Sequence, residues 1–282
     1  MKFKLLSDLH FEYNKYFQKQ IPHDVTDADT ILLLAGDIFP IAHWRMPSDL
    51  RNYVYQWFED VNSRFKHVIY VPGNHEYWGS DISDLHYLQR ILQPLKNVSV
   101  LNNQHIIFDD VAIIGATLWT NYFNETPMVM FNCQQKMFDS RHISNINGPQ
   151  YHNSSKVPMV ISSDLLELHK ESYSYIFNTI ENMSQQNLKT VVVTHHGPTA
   201  LSIDKRYENH ICNGGYISDF TEEFLDNKGP NFWCHGHVHS SNNYSFGRTT
   251  VLTNPYGVGF ENQEVNRDED ELFFRYDFSF EV

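Results

Sequence analysis

His67-Val68-Ile69-Tyr70-Val71-Pro72-Gly73-Asn74-His75-Glu76 reads as a short strand that runs out into a tight turn. Aliphatic and aromatic strand formers give way to Pro-Gly-Asn, which leaves Asn74 and His75 projecting from the strand's end. The same grammar recurs along the chain. Lys2 to Ser7 runs into Asp8-Leu9-His10, Thr30 to Ala35 into Gly36-Asp37, Thr190 to Thr194 into His195-His196, and Phe232 to Cys234 into Gly236-His237-Val238-His239. Five strand ends that carry Asp, Asn and His predict side chains facing one crevice at the carboxyl edge of a sheet.

Each cluster taken singly says little. Gly36-Asp37 alone reads as a turn, and Asp8-x-His10 as turn residues after a buried strand. His237 and His239 stand at alternate positions, on one side of an extended segment, where both imidazoles can reach one metal pair. The ordered set, not any single cluster, points to metal ligation.

Together the clusters resemble the pattern of the calcineurin-like metallophosphoesterases: D-x-H, G-D, G-N-H-D/E, H and G-H-x-H. All of these elements occur in order between Asp8 and His239. The resemblance implies one metal held by Asp8, His10, Asp37 and His239. It implies a second held by Asp37, Asn74, His195 and His237, with Asp37 bridging and His75 as the catalytic histidine. Protein Ser/Thr phosphatases of this superfamily carry Asp-Arg-Gly just after Gly-Asp, whereas this chain has Ile38-Phe39-Pro40. A protein phosphatase is therefore not expected. Gly36-Asp37-Ile38-Phe39 looks more like DNA-repair nucleases of the fold, and Thr253-Asn254-Pro255-Tyr256-Gly257 resembles a set of bacterial and phage phosphoesterases of undetermined substrate.

The chemistry asks for these residue types independently of the resemblance. A phosphoester repels hydroxide, so the nucleophile must be generated locally and the equatorial oxygens neutralised as charge builds on them. Two divalent cations and a metal-activated hydroxide do both. Imidazole, carboxylate and amide ligands without thiolate suit Mn, Fe or Zn. Cys133, Cys212 and Cys234 lack zinc-ribbon spacing, and Cys234 reads as a buried strand residue.

Composition narrows the setting. The chain has 282 residues, a formal net charge of −13 and 15% aromatic residues, enough for one compact domain over 1–282. Three cysteines without a framework indicate a reducing compartment, and no run reaches membrane-span length, so a cytoplasmic protein is expected. Without a basic tract, sustained binding to a nucleic-acid backbone is not expected.

Strands alternate with helices at Pro47 to Lys66, Ser83 to Leu92 and Leu165 to Met183. Val98 to Leu101, Ile106 to Phe108 and Val111 to Gly115 read as one antiparallel run, and Thr249 to Leu252 and Leu272 to Phe280 as late strands. The fold class expected is α/β, a two-sheet sandwich flanked by helices, which is also the four-layer fold of the family.

Asn121 to Pro158 has no clean period and is long for a connection, so it is expected to elaborate the active site as a lid or pocket wall. Arg141 and His142 are its candidate phosphate contacts, and Tyr122, Phe123 or Phe131 its candidate base-stacking rings. Ser202, Lys205 and Arg206 either line the pocket or are merely solvated. His196 is expected to support the site rather than ligate, Glu76 to orient its neighbours, and His235 to face away. The reading is a dinuclear phosphoester hydrolase acting on a small nucleotide or phosphodiester. A nuclease of the same fold and a catalytically idle scaffold are the alternatives.

Overall fold

The computed structural model describes residues 1–13, 20–148, 157–257 and 274–282. Its strands are β1 (Lys2–Leu6), β2 (Thr30–Ala35), β3 (His67–Val71), β4 (Ser80–Asp81), β5 (Val98–Val100), β6 (Gln104–Phe108) and β7 (Val111–Ala116). Then follow β8 (Ile143–Ser144), β9 (Lys189–Thr194), β10 (Phe232–His235), β11 (Tyr244–Phe246), β12 (Thr249–Thr253) and β13 (Ser279–Glu281). The helices are α1 (Ile41–Trp44), α2 (Asp49–Arg64), α3 (Leu85–Leu92), α4 (Tyr122–Glu125), α5 (Pro127–Lys136), α6 (Asp139–His142), α7 (Ser162–Gln185) and α8 (Thr221–Leu225).

Among the described residues, one large sheet has the order β13-β1-β2-β3-β5 and the other β11-β12-β10-β9-β7-β6, while β4 and β8 pair as a small third sheet. Side chains alternate across each strand, so each sheet offers two apolar faces. Phe3, Leu5, Ile31, Leu33, Ile69 and Val71 of the first sheet meet Val111, Ile113, Val191, Val193 and Cys234 of the second in the central layer. Their neighbours in sequence face outward. Leu32, Leu34, Val68 and Tyr70 pack on Val54, Trp57, Phe58 and Val61 of α2 and on Leu88 and Leu92 of α3. Ile114, Val192, Trp233 and Val251 pack on Ile176 and Ile180 of α7 and on Phe224 of α8. The result is the helix–sheet–sheet–helix sandwich expected from sequence.

The parallel pairs β1·β2, β2·β3, β7·β9, β9·β10 and β10·β12 bring the carboxyl ends of these strands to one edge of the sandwich. The tail element after β12 joins the two sheets there. Asn254 Nδ2 donates to the Leu5 carbonyl at 2.7 Å, and the Tyr256 and Gly257 amides donate to the Ser7 and Asp8 carbonyls at 2.9 and 3.1 Å.

Three expectations are corrected. Val98–Val100 does not join the antiparallel run: it pairs parallel with β3 at the edge of the first sheet, while β6 and β7 form a hairpin in the second. A parallel edge strand and a hairpin strand have the same alternation, so the pattern alone cannot assign the sheet. The long last strand shrinks to Ser279–Glu281, and residues 272–273 of the expected run lie outside the described residues. Of the stretch Asn121 to Pro158, residues 149–156 lie outside the described residues, and the rest is more regular than its pattern suggested, with α5 within it. That helix packs against α7, against α4 and against the turn at Asn213–Gly215. Contact on several sides removes the single apolar stripe that a periodicity search looks for.

Candidate metal centre

Loops at five strand ends build the cluster. Asp8, His10, Asp37, His237 and His239 have φ of 54°, 44°, 56°, 68° and 48°, in the left-handed region that costs a non-glycine residue about 1–3 kcal/mol. Packing holds them there. The loop after β1 continues the ladder beyond the strand, with Asp8, His10 and Phe11 amides donating to the Gly36, Asp37 and Ile38 carbonyls at 2.9–3.1 Å. Gly36, with φ of +87°, lies where any Cβ would strike the His195 ring, and a Cβ on Gly73 would strike the Asp37 carboxylate. Both glycines are therefore demanded by the side chains they let through.

The buried Glu76 carboxylate organises two of these loops. It accepts the amide N–H of Asp37, Ile38 and Phe39 at 2.9, 2.6 and 3.1 Å, the Tyr70 hydroxyl at 2.6 Å, and the Gly73 amide. Burial and the nearby Asp37 charge push its carboxyl up to about 7, against the donors that favour the anion.

Three groups of ligand atoms lie within 4.8 Å of one another: Asp8, His10 and His239; His10, Asp37 and His75; and Asp37, His195 and His237. His195 Nδ1 bonds the Ala35 carbonyl at 2.9 Å as donor, which turns Nε2 inward. That Nε2 stands 2.9 Å from Asn74 Oδ1, 3.1 Å from His237 Nδ1 and 3.3 Å from Asp37 Oδ2. Asn74 spends its amide N–H on Asp139 at 2.8 Å, so its oxygen is the atom presented. His195 Nε2, Asn74 Oδ1, His237 Nδ1 and Asp37 Oδ2 thus converge as four acceptors, with the N–H groups of His195 and Asn74 committed elsewhere and His237 Nε2 buried without a partner among the described residues. Acceptors about 3 Å apart suit one cation with bonds of about 2.0–2.2 Å.

A second set adjoins the first. His10 Nε2 lies 3.3 Å from His239 Nε2 and 3.7 Å from Asp37 Oδ2, and His239 Nε2 lies 3.3 Å from Asp8 Oδ1. Asp37 Oδ2 therefore faces both sets. The electrostatics favour positive charge at this point. Burial opposes ionisation of Asp37, yet the His195 and His75 charges hold its carboxyl well below the usual range. Burial likewise opposes a charge on His195, but Asp37 pushes it up to about 9. Two buried carboxylates that draw protons onto histidines would draw a divalent cation more strongly. The donor set fits metal ions.

His75 stands beside the two sets, half-buried, with Nε2 4.0 Å from Asp37 Oδ2 and its amide donating to Asp37 Oδ1 at 2.8 Å. Burial acts to lower its pKa, but Asp37 and Glu12 raise it. Trp78 stacks on its ring at 3.5 Å, and the Trp78 indole donates to Asp139 at 2.8 Å.

A family model described as calcineurin-like phosphoesterase matches residues 1–241. The chain belongs to that family. This calcineurin-like phosphoesterase is 26% identical over 293 residues to an uncharacterized protein, L509, of Acanthamoeba polyphaga mimivirus, with 93% of each chain covered. It is similar in fold to the phosphopantetheinyl hydrolase PptH of Mycobacterium tuberculosis, with a TM-score of 0.66, 15% identity, and 92% and 90% of the two chains covered. A dimetal phosphatase from Danio rerio matches with a TM-score of 0.48, 12% identity, and 92% and 88% covered. The protein is a metal-dependent phosphoesterase, and enzymes of its family use divalent metal ions. Among the described residues, no helix is long and apolar enough to cross a membrane.

The other candidates fall in different places. His142 stacks on Trp78 at 4.8 Å, with the Trp78 and His75 rings between it and His10, while Arg141 donates to the Gln135 carbonyl and lies over Phe138 at 5.6 Å. No contact joins Arg141 to the histidine cluster among the described residues. Tyr122 is buried, so it offers no face to a base, whereas Phe131 is 63% exposed. Ser202 is buried against His235 and Tyr244, each at 2.8 Å; Arg206 pairs with Asp204 at 2.6 Å, and Lys205 is exposed. His196 packs its ring 4.3 Å from His237 and bonds the Thr117 carbonyl. Sequence reasoning missed Glu12, Trp78 and Asp139. Only Glu12 left a local trace, as the next alternate residue after Asp8-x-His10.

Proposed function

We propose that this phosphoesterase holds two divalent transition-metal ions, Mn, Fe or Zn, and hydrolyses a small nucleotide or phosphodiester. Asp8, His10, Asp37 and His239 would hold one ion and Asp37, Asn74, His195 and His237 the other. The observation that carries this reading is the convergence of two acceptor sets on Asp37 Oδ2. Bound cations there would supply the charge neutralisation and the water activation that phosphoester hydrolysis needs.

The chain's own contribution is positioning and proton transfer. His75, with Nε2 toward the centre, gives its proton to the leaving oxygen. Trp78 fixes the ring plane from one side. The described part of the segment 121–158 acts as the pocket wall of a single domain spanning 1–282, because its Asp139 reaches both Asn74 and Trp78. Small substrates are favoured on electrostatic grounds. A chain with 34 acidic and 21 basic side chains repels a polyanion, while a nucleotide-sized ester feels mainly the cations beside it. Three buried free thiols fit the reducing, cytoplasmic setting.

The test is hydrolysis by the Mn²⁺-loaded protein of bis- and mono-p-nitrophenyl phosphate, a nucleotide and cyclic-nucleotide panel, a phosphopantetheinyl ester, and linear duplex and single-stranded DNA at equal phosphate in low salt. Turnover of a small ester ahead of both DNAs is expected. Faster, salt-sensitive degradation of DNA would assign a nuclease, and no turnover of any of them would favour the scaffold.

A further inference from the structure

We propose that Glu12 is the positioning residue for His75, a role that deepens the phosphoesterase reading and rests on it. Glu12 Oε1 lies 3.0 Å from His10 Nδ1 and 3.2 Å from His75 Nδ1. A carboxylate has only acceptors to offer, so each imidazole presents Nδ1–H to it and keeps Nε2 for the other side. Both Nε2 atoms do face the same carboxylate oxygen, Asp37 Oδ2, at 3.7 and 4.0 Å. One oxygen thereby sets the ring orientation of a metal-ligand candidate and of its catalytic neighbour together.

The surroundings make Glu12 hard to replace by chance contacts. Its side chain is 6% exposed, and Oε2 is buried without a partner among the described residues. A buried carboxylate with half its acceptor capacity unused is costly, and here the hydrogen bonds to two imidazoles compensate it. Trp78, stacked on His75 at 3.5 Å, restrains the ring's face but not its sense, because a half-turn about the Cβ–Cγ bond leaves the same plane against the indole. The contact at Nδ1 breaks that two-fold ambiguity. Without it, a flipped His75 would point carbon toward the reacting oxygens and Nδ1 away from Glu12. Glu12 lies two positions after His10, and among the described residues no other carboxylate contacts His75 Nδ1.

The experiment uses the full chain and the variants Glu12→Ala, Glu12→Gln, His75→Gln and Glu12→Ala/His75→Gln. Imidazole tautomers are read by long-range ¹H–¹⁵N correlation in the diamagnetic Zn²⁺-loaded protein, metal content by elemental analysis, and kcat and KM with Mn²⁺ on esters of good and poor leaving groups. In the parent, His10 and His75 carry a proton on Nδ1. Glu12→Ala should lose that signature at His75, keep its metal, and fall about 10–100-fold in kcat on the poor leaving group, the usual scale for removing an orienting partner. Glu12→Gln still offers Oε1 and should recover most of both, and the double variant should be no slower than His75→Gln. An Nδ1 proton retained on His75 in Glu12→Ala, or losses that multiply in the double variant, would overturn the assignment. So would metal loss from Glu12→Ala with the His75 tautomer unchanged, since Glu12 would then act through His10 alone. If the parent hydrolyses none of the esters while the tautomers still follow Glu12, the hydrolytic reading fails and the positioning role stands.

Discussion

Glu76 Oε2 accepts the amide N–H of Asp37 at 2.9 Å across 39 residues of sequence, so the turn that presents the shared carboxylate is held from the turn that presents Asn74 and His75. Exchange of one Glu76 oxygen for an amide NH₂ would set donor against donor at two of these amides. Each buried donor left without an acceptor costs about 1–3 kcal/mol. Glu76→Gln is therefore expected to lose ~3 kcal/mol or more in urea unfolding of the metal-free protein. A loss within about 0.5 kcal/mol, the range of ordinary surface substitutions, would mean that the two loops hold their shape without it.

Asp37 Oδ2 faces both acceptor sets, which separates this residue from every other ligand candidate. Asp37→Ala should abolish binding at both positions at once, whereas His239→Ala should weaken the set containing Asp8 and His10 alone. Mn²⁺ stoichiometry by elemental analysis distinguishes the two. A wild-type chain that never exceeds one ion would refute the dinuclear assignment.

His75 belongs to neither proposed ligand set, so His75→Gln should keep its metal and lose roughly 10²–10⁴ in turnover. The loss should shrink for esters with acidic leaving groups, which need no proton. Equal loss on acidic and basic leaving groups would remove the general-acid role while leaving charge stabilisation open. Loss of an ion would place His75 among the ligands, as its grouping with His10 and Asp37 allows.

His169 on α7 provides a pH test away from the metal centre. Burial holds its pKa down to about 4, and its Nδ1 lies 3.2 Å from the Leu118 carbonyl. An unfolded histidine titrates near 6.5, so between about 4 and 6.5 the unfolded chain binds the extra proton and stability falls as pH falls. His169→Phe should be less stable at pH 7, where the Leu118 carbonyl loses its donor, yet decline less between pH 7 and pH 4.5. Urea midpoints at the two pH values decide it, and a parallel decline in both proteins would exclude His169 as a source of the acid sensitivity.

Much of this protein was legible in one dimension because its chemistry sits where its strands stop. Runs of aliphatic and β-branched residues located β1, β2, β3, β9 and β10, and the motifs where those runs give out supplied Asp8, Asp37, Asn74, His195 and His237. Parallel strands in one sandwich bring their carboxyl ends together, so the order of the motifs and their place at strand ends were sufficient to collect these side chains at one edge. Tertiary structure alone decided the partners that orient them. Asp139 lies 65 residues from the Asn74 it holds and 61 from Trp78, and Asp37 lies 39 from the Glu76 that fixes its turn. No local pattern marks such a pair, because a hydrogen bond across the fold depends on where two loops meet and not on what surrounds either residue in the chain. The same reason separates Val98–Val100 from the hairpin beside it in sequence: strand formation is written in the residues, but the choice of neighbour is made by the packing of the sheets.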